Sequence, residues 1–553
     1  MADGPPSRAA KRKSLSGPAG RRIALRWLRL LVYLDAFRAA PVRFLTAAKW
    51  RLLGKRVRAR GQFAPLLSLS PRSYRLWMMQ QGAPPVASVA VGAHPPIIAL
   101  VQGPGNDYPG GLARTLDCLA SQSIDALIID RPFDEVLSDK GLPIPWDAHL
   151  WFLPLWPGDV LAADGAVQYR RAIAKTRSRI VYADDDLVTA QGQRHDPHFK
   201  PDWNAPLFGN FDYLTGACLV RASAQDVQAV ARHADWAARL VAHVVAESAV
   251  APAHLPAVIH HRVSRPRPRL PLALPAVARC LPPVSVIVPT RNRVDLLRIC
   301  LDGLAATRYR DLEVIVVDND SDDPATLSYL RQLDPRRHRI IHHAGPFNYS
   351  AINNRAVEQA GGDLICLLNN DIEIVDPDWL AIMATSALRA DIGAVGARLL
   401  YPDGRIQHAG VVIGVGNAAG HAHRFVRPGE AGYFHRHDLP QFVSAVTAAC
   451  LVVARQRFLA VGGLDEDSFP VAFNDVDLCL RLNAQGWQSF YEPRATLVHH
   501  ESVSRGHDRD PAGATRLAGE LAALQQTWGT ARLVDPYHHP QLSRASETFV
   551  VAV

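Results

Sequence analysis

Three groups of polar residues in this chain stand where apolar runs end, and their types suit a phosphorylated ligand. Pro289-Thr290-Arg291-Asn292 follows the run 284–288, Asp318 closes the run 314–317, and Asn369-Asn370-Asp371 follows 364–368. An aspartate at a strand end accepts hydrogen bonds from a ribose or a base. A strand-end acid cluster holds a divalent cation through one or two carboxylates, with diphosphate oxygens completing the shell. Further on lie Asn474-Asp475-Val476-Asp477 and the pair His499-His500.

The intervening pattern says what positions these groups. Short runs rich in Val and Ile read as strands buried on both faces. Val294, Leu297, Leu301 and Leu304 fall on one helical face. Asp376-Pro377 reads as an N-cap followed by proline at the first helical position, opening a helix over 377–389. Alternating strands and helices predict an α/β fold with a doubly wound, Rossmann-like, mostly parallel sheet, whose strand-end loops meet at one edge. No Gly-x-Gly-x-x-Gly or P-loop follows the first strand, and Gly414-Val-Gly416 has the wrong spacing, which argues against a dehydrogenase or a kinase.

A fainter copy of the block lies upstream. Pro96 matches Pro283, Leu116–Ala120 matches Leu301–Ala305, and Thr215-Gly-Ala-Cys218 matches Thr447-Ala-Ala-Cys450. Asp184–Asp186 matches Asn369–Asp371, and His260-His261 matches His499-His500. Several matches in one order predict two tandem copies of one fold, over 95–262 and 284–510. They are joined by a stiff proline-rich linker, 263–283. Residues 511–553 carry a helical stretch, Thr515 to Trp528, and an irregular tail. In the first copy His233 stands where the second has Asp475, so that copy is expected to be degenerate. The rival reading is a second active site using Asp184–Asp186 and His233.

Nearly half of the 553 residues are hydrophobic, which excludes global disorder. No apolar run is long enough to span a membrane, and no signal peptide is expected. The seven cysteines are scattered, without Cys-x-x-Cys pairs, and read as free thiols in a reducing compartment, with zinc disfavoured. Residues 1–60 hold sixteen Lys and Arg against Asp3 and Asp35, a net of +14, which leaves −5 of the chain's +9 for the rest. Residues 1–20 read as a disordered basic tail. Residues 21–60 read as a basic amphipathic helix, with Ile23, Trp27, Leu30, Leu31 and Leu34 at helical spacing. Such a helix either lies on an anionic membrane through residues 21–56 or packs that face on the protein body. A nucleic-acid partner has only the charge in its favour.

The stretch 284–510 resembles the family 2 glycosyltransferases with the GT-A fold, in particular the rhamnosyltransferase-like branch of bacterial cell-surface polysaccharide synthesis. Its motifs Val-Ile-Val-Pro-Thr-Arg-Asn, Val-Val-Asp-Asn-Asp-Ser, Phe347-Asn-Tyr-Ser-Ala-Ile-Asn-Asn354, Leu-Leu-Asn-Asn-Asp-Ile-Glu, Gly462-Gly-Leu-Asp465-Glu and Asn-Asp-Val-Asp-Leu-Cys-Leu-Arg481 occur in the family's order. With the fainter first copy, the chain looks like a tandem-domain member, two GT-A domains with the first degenerate.

The resemblance implies an inverting, metal-dependent transfer of a hexosyl or rhamnosyl group from a nucleotide-sugar donor to a glycan or lipid-linked glycan acceptor. The place would be the cytoplasm, at the inner face of the membrane, without nucleic acid. Pro289, Arg291, Asn292, Asp318, Ser321, Asn354 and Asn370 would bind the nucleotide-sugar. Asp371, with His499 or His500, would hold Mg²⁺ or Mn²⁺; Asn369 replaces the first acid of the family's Asp-x-Asp motif. Asp475 would be the general base, kept ionised near a helix N-terminus. Gly420-His421-Ala-His423 would line the donor-sugar or acceptor side. The alternative from another class is a non-catalytic glycan-binding or scaffold protein on a degenerate transferase fold.

Overall fold

The computed structural model describes residues 18–81, 95–103, 110–137, 150–500 and 511–553. Most of the expected basic tail and the last ten residues of the expected second unit lie outside these. The expected single helix over 21–60 is divided. Helices span Pro18–Ala39, Pro41–Leu52, Arg56–Ser68 and Ser73–Gln81, because Pro41 opens a new helix and Gly54, at φ +73°, reverses the chain. They pack around Leu28, Val32, Ala36, Phe63, Leu66 and Leu76. The fourth helix seats this module on the body: Tyr74 donates to Asp186 (2.6 Å), and Trp77 donates to Gln541 (3.0 Å) and meets the Phe199 ring.

Two sheets follow. The first contains β1 Ile97–Gln102, β2 Asp125–Ile129, β3 Trp151–Leu155, β4 Val160–Leu161, β5 Ile180–Val188, β6 Arg194–His198, β7 Cys218–Arg221 and β8 Ala253–Arg262. The chain continues through β9 Val284–Thr290, β10 Leu312–Asp318, β11 His338–His342, β12 Leu364–Leu368, β13 Ile372–Ile374, β14 Ile392–Leu400, β15 Ile406–His408, β16 Val411–Ile413, β17 Ala419–His421, β18 Gln441–Val443, β19 Cys450–Ala454 and β20 Gln488–His499.

The sheet orders are 2-1-3-7-5-8-4 and 11-10-9-12-19-14-20-13, so from β10 onward the second repeats the first strand for strand. Each pairing also has the same sense: β1 and β9 lie between parallel neighbours, while β7 and β19 are antiparallel to both of theirs. The sheets are therefore mixed, not mostly parallel. β7 follows the hairpin strand β6 and the short helix Ala205–Asn210, and β19 follows the excursion β15 to β18, so each re-enters its sheet against the direction of its neighbours.

The second sheet is covered on both faces. One core gathers Leu297, Leu301 and Leu304 of the helix Val294–Ala306 with Trp379 and Met383; the other gathers Ile352, Phe458 and Leu482. The helix expected over 377–389 begins two residues later, at Trp379. Asp376 accepts from the Asp378 N–H (3.0 Å), a turn that delays the first helical residue. Five cysteines (218, 300, 366, 450, 479) are buried free thiols, Cys118 is half-buried and Cys280 exposed.

Asp184, Asp185 and Asp186 lie inside β5 and are all buried. Each is neutralised from a different element. Asp185 meets Lys200 Nζ (2.9 Å) and Arg265 of the linker; Asp186 meets Arg194 (2.6 Å) and His261 (2.7 Å). The linker is thus pinned through Arg265 rather than free. Lys200, fully buried, also donates to the Ala183 carbonyl. Removing one partner of a buried ion pair leaves a dry charge, at a cost of about 3–5 kcal/mol. Lys200→Met is expected to destabilise by about that much, measured by denaturant titration; a loss below about 1 kcal/mol would mean that Asp185 is balanced by its arginines alone.

Candidate functional site

β10, β9 and β12 run parallel, so Asp318, Thr290 and Asn369 emerge at one edge. Asn292 and Arg293 both have positive φ (+56° and +54°) and swing the chain from β9 into its helix, a conformation that asparagine tolerates well. Asn292 also stitches this loop to the next. Its Oδ1 accepts from the Asp322 and Asp323 N–H groups (3.0 and 2.9 Å), and its own N–H donates to Ser321 Oγ (2.9 Å). Asp318, buried, accepts from the Ser321 N–H (3.2 Å) and lies 3.3 Å from His342. Pro289 is a buried residue of β9. Arg291 is exposed at the strand end, with no ion-pair partner among the described residues. Asn370 donates to Thr290 Oγ1 (3.0 Å) and closes the first loop on the third.

Asp371, buried, stands between β12 and β13. His499 Nε2 lies 3.1 Å from its Oδ1, and His499 Nδ1 lies 2.7 Å from Gln407 Oε1. An amide oxygen only accepts, so Nδ1 carries the proton, and the neutral ring's lone pair is then on Nε2, facing a carboxylate. Two acceptors this close call for positive charge between them, a proton or a metal ion. A histidine whose other nitrogen is anchored by an outer acceptor is the usual metal-ligand arrangement. The donor set fits a divalent cation. His500 turns elsewhere: its Nε2 lies 2.9 Å from Glu373, and its N–H donates to the Asp371 carbonyl.

Asp475 is the second residue of the helix Asn474–Ala484. Its Oδ2 accepts from the Ala448 N–H (3.0 Å) and its Oδ1 from the Val476 N–H (2.8 Å). Burial pushes its pKa above the ordinary aspartate value, against the pull of these bonds. Tyr349 joins the two halves. Its hydroxyl donates to the Ala448 carbonyl (3.0 Å) and lies 3.4 Å from Asn369 Oδ1. Burial first, then the charges of Asp475 and Asp371, raise its pKa. Asp477 faces the C-terminal helix Pro511–Trp528, accepting from Trp528 Nε1 (2.9 Å) as well as from Arg481. Buried Glu520 of that helix accepts from the Val471 and Ala472 N–H groups and holds the approach to Asp475.

Several expected residues have other places. Asn354 donates to the Leu464 carbonyl (2.8 Å) and Glu466 (2.7 Å) and accepts from the Leu464 N–H, so it holds the 462–466 loop. His423 is buried and stacked on Phe549 of the tail, and His421 pairs with His408 (2.9 Å), so neither is committed to a ligand. Gln407, Tyr349 and Trp528 were not singled out from sequence. Tyr349 lay within the motif 347–354. Gln407 carries no signal, because its role arises only when β15 pairs with β14.

The first unit requires a larger correction. Topology sets β5 against β14, so Asp184–Asp186 correspond to the region of Leu399 and Leu400, not to Asn369–Asp371. The place of Asp371 belongs to Asp159, which precedes β4 as Asp371 precedes β13. Asp159 is buried and accepts from the Val263 and Trp156 N–H groups; burial pushes its pKa up to about 6. Gly216 takes the place of Ala448, and the Arg262 guanidinium and Trp156 ring pack so closely against it that a Cβ there would collide with both. His233 is exposed.

Asp184, His254 and His539 form a further Asp/His trio with ligand-like spacing. Its hydrogen bonds account for it differently. His539 Nδ1 accepts from the Gln541 N–H (3.0 Å), so Nε2 carries the proton, and it lies 2.9 Å from Asp184 Oδ2. His254 bridges Asp184 (3.1 Å) and Asp202 (2.9 Å), and the two carboxylates raise its pKa against burial. The trio ties the tail to the first unit.

Residues 285–412 match the family model described as glycosyl transferase family 2. Among curated proteins, the chain is 40% identical over 441 residues to the protein y4gI of Sinorhizobium fredii, covering 71% of this chain and 48% of that one. It is 35% identical over 424 residues to the O-antigen biosynthesis protein RfbC of Myxococcus xanthus, covering 67% and 32%. The chain thus spans half or less of the length of these two relatives. It is 27% identical to an N-acetylglucosaminyl-diphospho-decaprenol L-rhamnosyltransferase of Mycobacterium tuberculosis, covering 41% of this chain and 79% of that one. A solved mannosyltransferase of Pyrobaculum calidifontis, in complex with GDP-Man and Mn²⁺, aligns at a TM-score of 0.35 and 20% identity, over 47% of this chain and 68% of that one. The second α/β unit thus carries the match to glycosyl transferase family 2, over residues 285–412.

Proposed function

We propose that the second unit moves a hexosyl or rhamnosyl group, with inversion, from a nucleotide-sugar to a glycan or lipid-linked glycan acceptor in polysaccharide synthesis. The observation that carries this reading is Tyr349, whose hydroxyl donates to the carbonyl of Ala448, the residue whose N–H holds Asp475, and lies 3.4 Å from Asn369 in the loop of Asp371. The Asp371–His499 pair and the Asp475 carboxylate would then serve one bound donor.

The donor's nucleoside would lie along the loops shaped by Asn292, Ser321 and Asp318, with Arg291 reaching toward its phosphates. Asp371 and His499 would hold Mg²⁺ or Mn²⁺, which supplies charge neutralisation for the departing diphosphate. Asp475 takes the proton of the acceptor hydroxyl as that oxygen bonds to the anomeric carbon. The bond from that carbon to the diphosphate oxygen breaks on the opposite face, which inverts the centre. The first unit, with Asp159 tied to backbone and Arg262 packed on Gly216, serves as a non-catalytic partner.

Release of nucleoside diphosphate from a panel of UDP-, GDP- and dTDP-sugars, with acceptor glycans and Mn²⁺, tests this reading. Asp475→Asn is expected to lower turnover by about 10²–10⁴-fold while leaving nucleotide binding intact; equal turnover would remove Asp475 as the base. Because the base acts unprotonated and its folded pKa is raised, activity falls as pH drops through a value above the ordinary 3.9 or so. The acidic limb of kcat/KM is expected there, and to vanish from the residual activity of the asparagine variant.

The histidine assignment has its own check. Gln407→Ala frees the His499 tautomer and is expected to weaken apparent Mn²⁺ affinity about 10–100-fold, read by calorimetry. His500→Ala should leave that affinity unchanged, and the reverse ranking would assign the cation to His500.

A further inference from the structure

The helix Pro18–Ala39 is apolar on two faces. Leu28, Val32 and Ala36 are buried in the four-helix module. The other stripe, Ile23, Trp27, Leu30, Leu34 and Phe37, runs the length of the helix at spacings of three and four and faces outward; Ile23 and Trp27 are each more than 60% exposed. Val42, Leu45, Leu52, Leu53 and Val57 extend the exposed apolar surface over the next two helices. No helix among the described residues is long and apolar enough to cross a membrane.

Charge surrounds this surface. Residues 18–60 carry twelve Lys and Arg and one acid, Asp35. Asp35 is committed to Arg72 and Ser70, outside that segment (2.6 Å each). None of the twelve pairs with a carboxylate among the described residues, and Arg22, Arg26 and Arg29 flank the stripe. The spacing would also suit pairing with a second copy. There, however, two rows of arginines would face each other with no acids to offset them, so like charge opposes that occupant.

We propose that this face docks on an anionic lipid surface, with the stripe in the headgroup–acyl boundary and the arginines among the lipid phosphates. The module is a rigid pedestal, not a tether. Tyr74–Asp186 binds it to the first unit and Trp77–Gln541 to the tail, which continues from the helix Pro511–Trp528 whose Trp528 meets Asp477. Docking therefore fixes the orientation of the catalytic body over the membrane. The inference stands apart from sugar transfer, since no residue of the stripe touches the Asp371–Asp475 site.

The test is co-sedimentation of the full chain with phosphatidylcholine vesicles, with and without phosphatidylglycerol. Binding is expected with the anionic vesicles, falling at least about tenfold in Trp27→Glu/Leu30→Glu and in Arg22→Glu/Arg26→Glu/Arg29→Glu, and weakened by salt. Both variants alter exposed positions, so unchanged thermal midpoints and unchanged nucleotide-sugar turnover in vesicle-free solution show that fold and chemistry are intact. Absence of binding to anionic vesicles overturns the proposal, as does binding that neither variant reduces. A dimer by light scattering that Trp27→Glu/Leu30→Glu dissociates, without vesicle binding, assigns the face to a second copy.

Discussion

The hydrogen bond from the Ala448 N–H to Asp475 is the constraint on which the rest of the candidate site depends. A carboxylate poised to take a proton has to be held firmly enough not to wander. A backbone donor does this without contributing a counter-charge. It exists because β19 runs antiparallel between β12 and β14, which brings residues 447–449 to the edge where Asn369 leaves β12; the Asn369 N–H donates to the Ala449 carbonyl (3.0 Å). One strand reversal therefore sets the residues that hold Asp475 beside the Asn369–Asp371 loop, and Tyr349 lies between them. The C-terminal helix completes the arrangement, since Glu520 and Trp528 hold the two ends of the turn that presents Asp475. What reads in the sequence as a trailing appendix is a wall of the site.

Strands β9, β10 and β12 were legible because each is an unbroken apolar run, and the polar residues that end them were legible with them. The motifs likewise pointed to Asp371, Asp475 and the histidine pair. The choice within that pair was not legible, since His499 ends the strand and His500 follows it, and nothing local says which of them meets the carboxylate. Pairing of β20 with β13 decides it, and Gln407 arrives from β15 to fix the ring. The sense of β19 was equally hidden, because an antiparallel core strand has the same apolar composition as a parallel one. At the N-terminus, periodicity found the stripe 23–34 but took it for the helix's sole apolar face. The inward face, Leu28, Val32 and Ala36, is short-chained and interrupted by arginines, so the larger side chains dominated the pattern.

The repeat was detected correctly as an order of motifs and misread in register at its most conspicuous point. Three consecutive aspartates resemble a cation-binding motif more than Trp-Pro-Gly-Asp does. Yet strand pairing places Asp159 at the edge and Asp184–Asp186 within β5. An acid run inside a buried strand has a high desolvation cost, so a sequence reading naturally moves it to a loop. Here the cost is offset by cations arriving from four separate segments, Lys200, Arg194, His254 and Arg265, none of which is near the aspartates in the pattern.

The two units then differ in where positive charge comes from. In the first, every carboxylate near the old ligand edge meets an internal partner: lysine, arginine, histidine or backbone N–H. Such a centre is electrostatically complete before any ligand arrives, and a cation or a diphosphate would have to break existing pairs to enter. In the second, Asp371 faces a nitrogen of an anchored histidine, and Asp475 is held by the Ala448 and Val476 N–H groups and the Thr447 side chain. A histidine nitrogen close to a buried carboxylate and a raised carboxylate pKa are unfavourable for stability, and perturbed groups of this kind gather at functional sites. Arg262 shows how small the step between these states is. One guanidinium packs against Gly216, where the second unit has Ala448 donating to Asp475.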